Sequence, residues 1–288
     1  MPGHLITRTI PRRAVFVIVL VMLGLTMAAC IGPDVPTAGV PTSASTPTPG
    51  VLGSLSPTPG NATSAAPSPS LAVPEGTIGP DAWKDPSNFV STIDNPWLPF
   101  KPGTVWHYTG TKDGERAKDV TTVTSRTEVV AGVPCVVVDD KLFLNGKLEE
   151  TTLDYYVQDR AGNVWYFGED TQELDANGNI TSTEGSWRTG VDGAVPGIFM
   201  EGEPVIGHAF QQEYLAGQAE DHFEVLSLTA SVTVPAGTYN VALLTKEWTP
   251  LEPDVLDHKW YVRGIGEVRE LAVKGPKEEL SLVSVSGL

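Results

Sequence analysis

The sequence predicts an all-β fold, an antiparallel meander of about ten to twelve strands curled into an open barrel or a two-layer β structure, carried by residues 81–288. Three observations lead there. Turn-forming pairs recur at short intervals, among them Asp113-Gly114, Ala131-Gly132, Asn145-Gly146, Gly162-Asn163 and Gly178-Asn179, and such residues suit the tight turns that join antiparallel neighbours. The stretches between them are rich in Val, Thr, Tyr, Trp and Leu, side chains that fit a pleated surface. Finally, apolar and polar residues alternate: Leu153, Tyr155 and Val157 oppose Asp154 and Gln158, while Val123, Ser125, Thr127 and Val129 oppose Thr124, Arg126 and Glu128. A period of two marks half-buried strands. A sheet this wide must curl or fold over to cover its apolar face.

From the start of the chain, Arg8, Arg12 and Arg13 precede an uncharged apolar run from Ala14 to Ala29, the layout of a secretory signal peptide over residues 1–29. The run ends Leu25-Thr26-Met27-Ala28-Ala29-Cys30, which resembles the lipobox of bacterial lipoproteins, with Met27 where Leu, Val or Ile is usual. The resemblance implies cleavage before Cys30 and a diacylglyceryl group on its thiol. Two acyl chains suffice for stable anchoring. The expected location is therefore the extracytoplasmic face of a cell membrane. An uncleaved transmembrane anchor is the alternative, although the run is slightly short for a spanning helix.

Residues 30–80 change to Pro, Thr, Ser, Ala and Gly, with Asp34 and Glu75 the only charges. Such a composition builds no core and predicts a disordered tether. Its eleven prolines make it stiff. In extended polyproline form, at roughly 3.1 Å per residue, it reaches on the order of 150 Å. The tract is similar to the tethers of actinobacterial lipoproteins, whose Thr and Ser residues often carry mannose.

Residues 81–288 form the predicted extracytoplasmic domain, with helix expected only as short turns near Asp81–Thr92 and Ala216–Phe223. Pro96-Trp97-Leu98-Pro99-Phe100 leads into a first strand, and Trp260-Tyr261-Val262 with Gly264-Ile265-Gly266 reads as a final hairpin that pairs or stacks with it. Their tryptophans are expected in the core. Two segments imitate binding motifs. Asp175-Ala176-Asn177-Gly178-Asn179 begins like a calcium loop but has Gly at the fourth place instead of the sixth, and Asp159-Arg160-Ala161-Gly162-Asn163 approaches an Asp-box turn with one residue too many. Both read as hairpin turns.

Four stretches, DNPWLPFKPGTVWHYTG, DRAGNVWYFGEDTQELDANGN, GSWRTGVDGAVPGI and KEWTPLEPDVLDHKWYVRGIGEV, resemble a family of exported bacterial β-rich proteins, often lipoproteins, of uncharacterised function. The resemblance spans nearly all of residues 94–270. It implies a single all-β domain and supplies no catalytic residues.

Charge narrows the function. The net charge of −16 becomes −19 once three arginines and no acid leave with residues 1–29. Phosphate binding needs a Lys and Arg footprint, so nucleic acid and anionic lipid surfaces are excluded as partners. Glu169, Asp170, Asp192, Glu213 and Asp221 form the candidate ligand or cation site, with Trp165 and Trp187 as aromatic contacts. Carboxylates gathered by a curved sheet suit calcium, which takes six to eight oxygens. They equally suit a glycosidase pair. Solvated loop charges are the plain alternative. His107, His208, His222 and His258 have no metal-pair spacing, and there is no nucleophile elbow or phosphate loop. Cys135, within the apolar run Val133–Val138, reads as a small buried hydrophobe. The preferred reading is a tethered, non-catalytic binding module for a cell-envelope ligand. The rivals are a carboxylate-dependent hydrolase of envelope glycans and a carrier of an apolar small molecule.

Overall fold

The computed structural model describes residues 81–288. The signal segment, Cys30 and the tether lie outside the described residues. Two single-turn 3₁₀ helices, Ala82–Lys84 and Pro86–Asn88, precede β1 (Phe89–Val90). There follow β2 (Val105–Lys112), β3 (Glu115–Val130), β4 (Val133–Leu144), β5 (Lys147–Asp159), β6 (Val164–Leu174), β7 (Ile180–Ser182), β8 (Trp187–Arg188) and β9 (Val195–Met200). After these come β10 (Ala209–Gln211), β11 (Glu213–Tyr214), β12 (His222–Val234), β13 (Gly237–Trp248), β14 (Leu256–Val262), β15 (Gly266–Lys274) and β16 (Glu278–Ser286). Among the described residues no helix is long and apolar enough to cross a membrane.

All these strands pair antiparallel in one sheet that runs β10-β12-β13-β14-β15-β16-β2-β3-β4-β5-β6-β9-β11, with β1 on β5 and with β7 and β8 on β6. The expectation of a curled antiparallel meander holds, and the sheet is nearly closed into a barrel. The two ends of the path, β10 and β11, are separated only by Gln212. One segment, Ala209–Tyr214, therefore pairs with β12 through its first half and with β9 through its second, and so spans the gap between the sheet's edges. An exposed edge is a template for aggregation, and closure removes it. Gly197 makes the approach possible, because a Cβ there would lie 2.1 Å from the Gln211 carbonyl oxygen.

The tight turns form as their residues dictate. In Asp113-Gly114, Ala131-Gly132 and Asn145-Gly146 both residues have positive φ, the signature of the two-residue turn whose twist matches that of the strands. Asp159 and Asp175 each accept backbone N–H groups two and four residues on, which makes both hairpin turns and neither a calcium loop. Two sequence expectations are corrected. Ala216–Phe223 holds no helix, because Leu215 and Ala219 pair across a tight turn and β12 begins at His222. The Trp260–Val268 hairpin is not the last, because β16 follows and pairs with β2.

The segment between β1 and β2 crosses one mouth of the barrel, placing Leu98 and Phe100 against its interior. Asn95 holds it there. Its side-chain oxygen accepts from the backbone N–H groups of Trp97 and Leu98, and its amide donates to the carbonyls of Gly162 and Glu201. The opening and closing motifs meet as the sequence suggests: Gly264 N–H donates to Pro96, the Trp106 indole to Ile265 O, and the Tyr108 hydroxyl to Glu267 O. Trp97, Trp106, Trp165 and Trp187 are all buried.

Candidate functional site

Alternation sends one side chain in two to the inside of the barrel. On β5 the inward set is Glu150, Thr152, Asp154 and Tyr156, and Leu153, Tyr155 and Val157 form the outer face. The proof is in the partners. Asp154 accepts from the Tyr166 hydroxyl at 2.6 Å within the cavity wall, while the Tyr155 hydroxyl meets Asp170 and Arg188 outside. The outer face is covered in turn, Arg188 lying 4.6 Å over the Tyr155 ring and Phe89 packing edge-on against Trp165 and Phe167.

The same rule carries an ionisable side chain inward on strand after strand. Buried carboxyls stand at Asp119 on β3, Asp140 on β4, Glu150 and Asp154 on β5, Glu169 on β6 and Glu213 on β11. The series continues with Asp221 before β12, Glu247 on β13, Asp257 on β14, Glu270 on β15 and Glu278 on β16. Two lysines face them. Lys259 lies 3.2 Å from Glu247 and 3.7 Å from Glu270, and Lys112 is 3.6 Å from Glu278. Burial opposes the charge on Lys259, but Glu247, Glu270 and Glu267 outweigh it and hold the amine protonated.

Charge taken from water without compensation is costly, so such groups neutralise instead. Burial, reinforced by neighbouring acids and opposed by Lys112, pushes Glu150 up to about 8. Burial and Asp140 push Asp154 up to about 8 against the Tyr166 hydrogen bond. Asp221 and Asp257 are pushed up to about 7 by burial, as is Glu267. Glu169 and Glu213 rise well above the carboxylate range through burial, then through Glu213 beside Glu169 and Asp221 beside Glu213. Several oxygens lack a donor, including Asp119 Oδ2, Glu150 Oε2, Glu169 Oε1 and Glu213 Oε2.

Within this interior lies a cavity of about 90 Å³. One wall is aromatic. Tyr156 stacks on Tyr166 with centroids 4.7 Å apart, and Phe100, Trp106 and Phe199 close round them. The other wall carries Asp119, Asp140, Asp154, Glu267, Glu270 and Lys259.

Of the residues singled out from sequence, Glu169, Glu213 and Asp221 are buried, with Glu213 raising Glu169 and Asp221 raising Glu213. Asp170 faces outward, paired with Arg188, whose charge and hydrogen bond with that of Tyr155 overcome partial burial and hold it below its usual range. Asp192 sits exposed in a turn at φ 51°. Trp187 packs edge-on against Tyr166 in the core, and Trp165 packs on the outer face with its indole donating to Asp159. Cys135 is buried, and burial pushes its thiol up to about 12. Among the described residues no three His, Cys, Asp or Glu side chains are grouped as a metal site requires. Asp119, Asp140, Glu150, Asp154, Glu247 and Glu270 were not among the sequence candidates. The available signal was their place in the alternation of long strands.

No family model and no curated protein matches this chain. Among solved structures it is similar to a protein from Bacteroides fragilis NCTC 9343 described as exported, with a YMCC-like fold, at 16% identity, over 66% of this chain and 99% of that one, with a TM-score of 0.39. It is also similar to a protein from Parabacteroides distasonis ATCC 8503 described as a lipoprotein, at 14% identity, over 67% of this chain and 99% of that one, with a TM-score of 0.36.

Proposed function

We propose that this chain is an extracytoplasmic lipoprotein, anchored through Cys30 and carried on the residue 30–80 tether, whose β domain is a non-catalytic module that binds a cationic ligand inside its barrel. The observation that carries the reading is the excess of carboxyls, Asp119, Asp140, Asp154, Glu267 and Glu270, over the one lysine, Lys259, lining the cavity. At neutral pH such an interior holds protons, and a cation entering it replaces them. Export rests on the basic, apolar and small-residue order that ends at Cys30.

The geometry favours binding over the two other readings. A glycan hydrolase needs two carboxyls with room between them for a chain of sugar rings, and a cavity of about 90 Å³ is small for that. An apolar cargo would supply no donor to the buried Asp119 Oδ2, which finds none in the protein. The grouping that calcium requires is not preformed among the described residues, so a bound calcium ion would have to rearrange several strands' side chains.

The test is thermal unfolding of the full-length protein at pH 8 with a panel of cations, inorganic and organic, beside neutral sugars and a fatty acid. A saturable rise with at least one cation is expected, about 2.7 kcal/mol at a hundredfold excess over its dissociation constant. No response to any cation, or a response to the fatty acid or sugar instead, overturns the reading.

A further inference from the structure

We infer that the cavity beneath Phe100 and Trp106 is a site for a small organic amine, bound as its ammonium ion between Asp119 and Asp140 with its carbon skeleton against the aromatic wall. This rests on the proposed cationic ligand and names its chemical class.

Two aspartates on adjacent strands define the site. Thr121, on the same strand as Asp119, lies 3.2 Å from an Asp119 oxygen and 2.9 Å from an Asp140 oxygen, so one hydroxyl spans two carboxyls on adjacent strands. A hydroxyl has a single proton, so it serves one of them. Asp119 is 3% exposed and its Oδ2 has no donor in the protein. Two carboxyls held together in this way need either a shared proton or a cation between them.

No base of the protein fills that role. Among the described residues no Lys or Arg pairs with Asp119, Asp140 or Asp154. Lys259 shares the cavity and acts on Asp140 from beyond ion-pair distance, but its paired carboxyls are Glu247 and Glu270, with Glu267 near.

The kind of cation follows from the opposite wall. Tyr156, Tyr166, Phe199, Phe100 and Trp106 offer ring faces and edges in place of the oxygens a hard metal ion would need. Ring faces attract organic cations and pack against alkyl chains. At roughly 10–15 Å³ for each water-sized unit, about 90 Å³ accepts on the order of half a dozen non-hydrogen atoms. That admits a short alkylammonium. An N–H-bearing ammonium gives Asp119 Oδ2 the donor it lacks; a quaternary ammonium does not.

Binding is a simple exchange. The amine enters as R–NH₃⁺, the proton shared by Asp119 and Asp140 leaves to solvent, and the charge of the cavity is unchanged.

The experiment is titration calorimetry of the full-length protein at pH 8 with n-butylammonium, tetramethylammonium, 1-butanol and calcium chloride, repeated in buffers of different ionisation enthalpy to count protons released. The inference expects saturable butylammonium binding with about one proton released, tetramethylammonium weaker by about tenfold or more, and no binding of 1-butanol. Asp119→Asn with Asp140→Asn should weaken butylammonium about tenfold or more, whereas Glu128→Gln, exposed on the outer face beside Arg188, should leave it unchanged. Proton release is read on the native sequence, so it decides the matter even if the double variant folds poorly. Binding of calcium alone would sink the amine and leave the cationic reading standing. Equal binding of 1-butanol, or butylammonium binding without proton release, would overturn the site.

Discussion

Asn95 shows how a single side chain fixes the entrance to the interior. With its backbone N–H donating to Gln158 Oε1, all of its polar groups are engaged while it is 1% exposed. Asn95→Ala removes four side-chain bonds and strands their buried partners. The expected loss is about 3 kcal/mol or more in denaturant unfolding; a change within 0.5 kcal/mol, the range of about ±0.5 kcal/mol usual for surface substitutions, would show that the segment is not held there. Asp154 illustrates the opposite situation, a group the fold keeps protonated. Its carboxyl is pushed up to about 8 by burial and Asp140. A raised carboxyl contributes stability that is fully present below its unfolded value near 4 and lost as pH rises through 8. Asp154→Asn still accepts from Tyr166 but never ionises. The variant should therefore be more stable than the native protein at pH 9, on the order of a few kcal/mol, with the advantage shrinking toward pH 5. An advantage independent of pH would remove the titration account. At this scale the sequence was legible in part. The Asn95-Pro96-Trp97 motif was visible, but nothing in one sequence shows that Asn95 reaches Glu201.

Strands and turns follow local chemistry closely. Asn145-Gly146 and Asp113-Gly114 announce their hairpins because few other residue pairs accept two positive φ values. The strand β16 carries a readable signal, Leu280 and Leu282 alternating with Ser281 and Val283, which the prominence of the Gly264-Ile265-Gly266 turn obscures. The strands β10 and β11 are too short for any periodicity. Their partners exist only after the sheet has curled. Gly197 tests the closure they make. A Cβ at this position meets the backbone of Gln211 and Gln212 at 2.1–2.6 Å, and backbone cannot swing aside as a flexible side chain does. Gly197→Ala should separate β9 from Gln212, lower stability by about 3 kcal/mol and speed amide exchange in β9 and β11 above that in β3 and β4. Uniform exchange would mean that closure is not a local event. The β5 alternation carries the main lesson at this level. A period of two reports that two faces differ, and it does not report which of them a barrel turns inward.

At the scale of the whole molecule the acidic composition acquires a location. A formal charge of −16 reads from sequence as solvated surface, but many of its acids stand inside the barrel, where burial holds them protonated. Net charge therefore overstates the field the domain presents outward. Composition has no coordinate that separates the two cases; the fold supplies it. The proposed anchor is tested separately, since Cys30→Ala should abolish incorporation of a labelled fatty acid, and equal labelling would refute lipidation at that position. The central claim is that the interior stores protons where a cationic ligand belongs. Its most direct measurement is the urea midpoint of the full-length protein from pH 5 to pH 9 in a buffer free of amines and divalent cations. Burial pushes Asp221, Asp257 and Glu267 up to about 7, and Glu150 and Asp154 up to about 8, all above their unfolded values. Stability should fall across this range, most steeply between about pH 5 and 7, where the folded state keeps these protons and the unfolded state has lost them. The slope should ease as the groups ionise through about pH 7 to 8, and a cationic ligand should restore stability at the alkaline end. A midpoint that stays level or climbs from pH 5 to pH 8 would contradict the account.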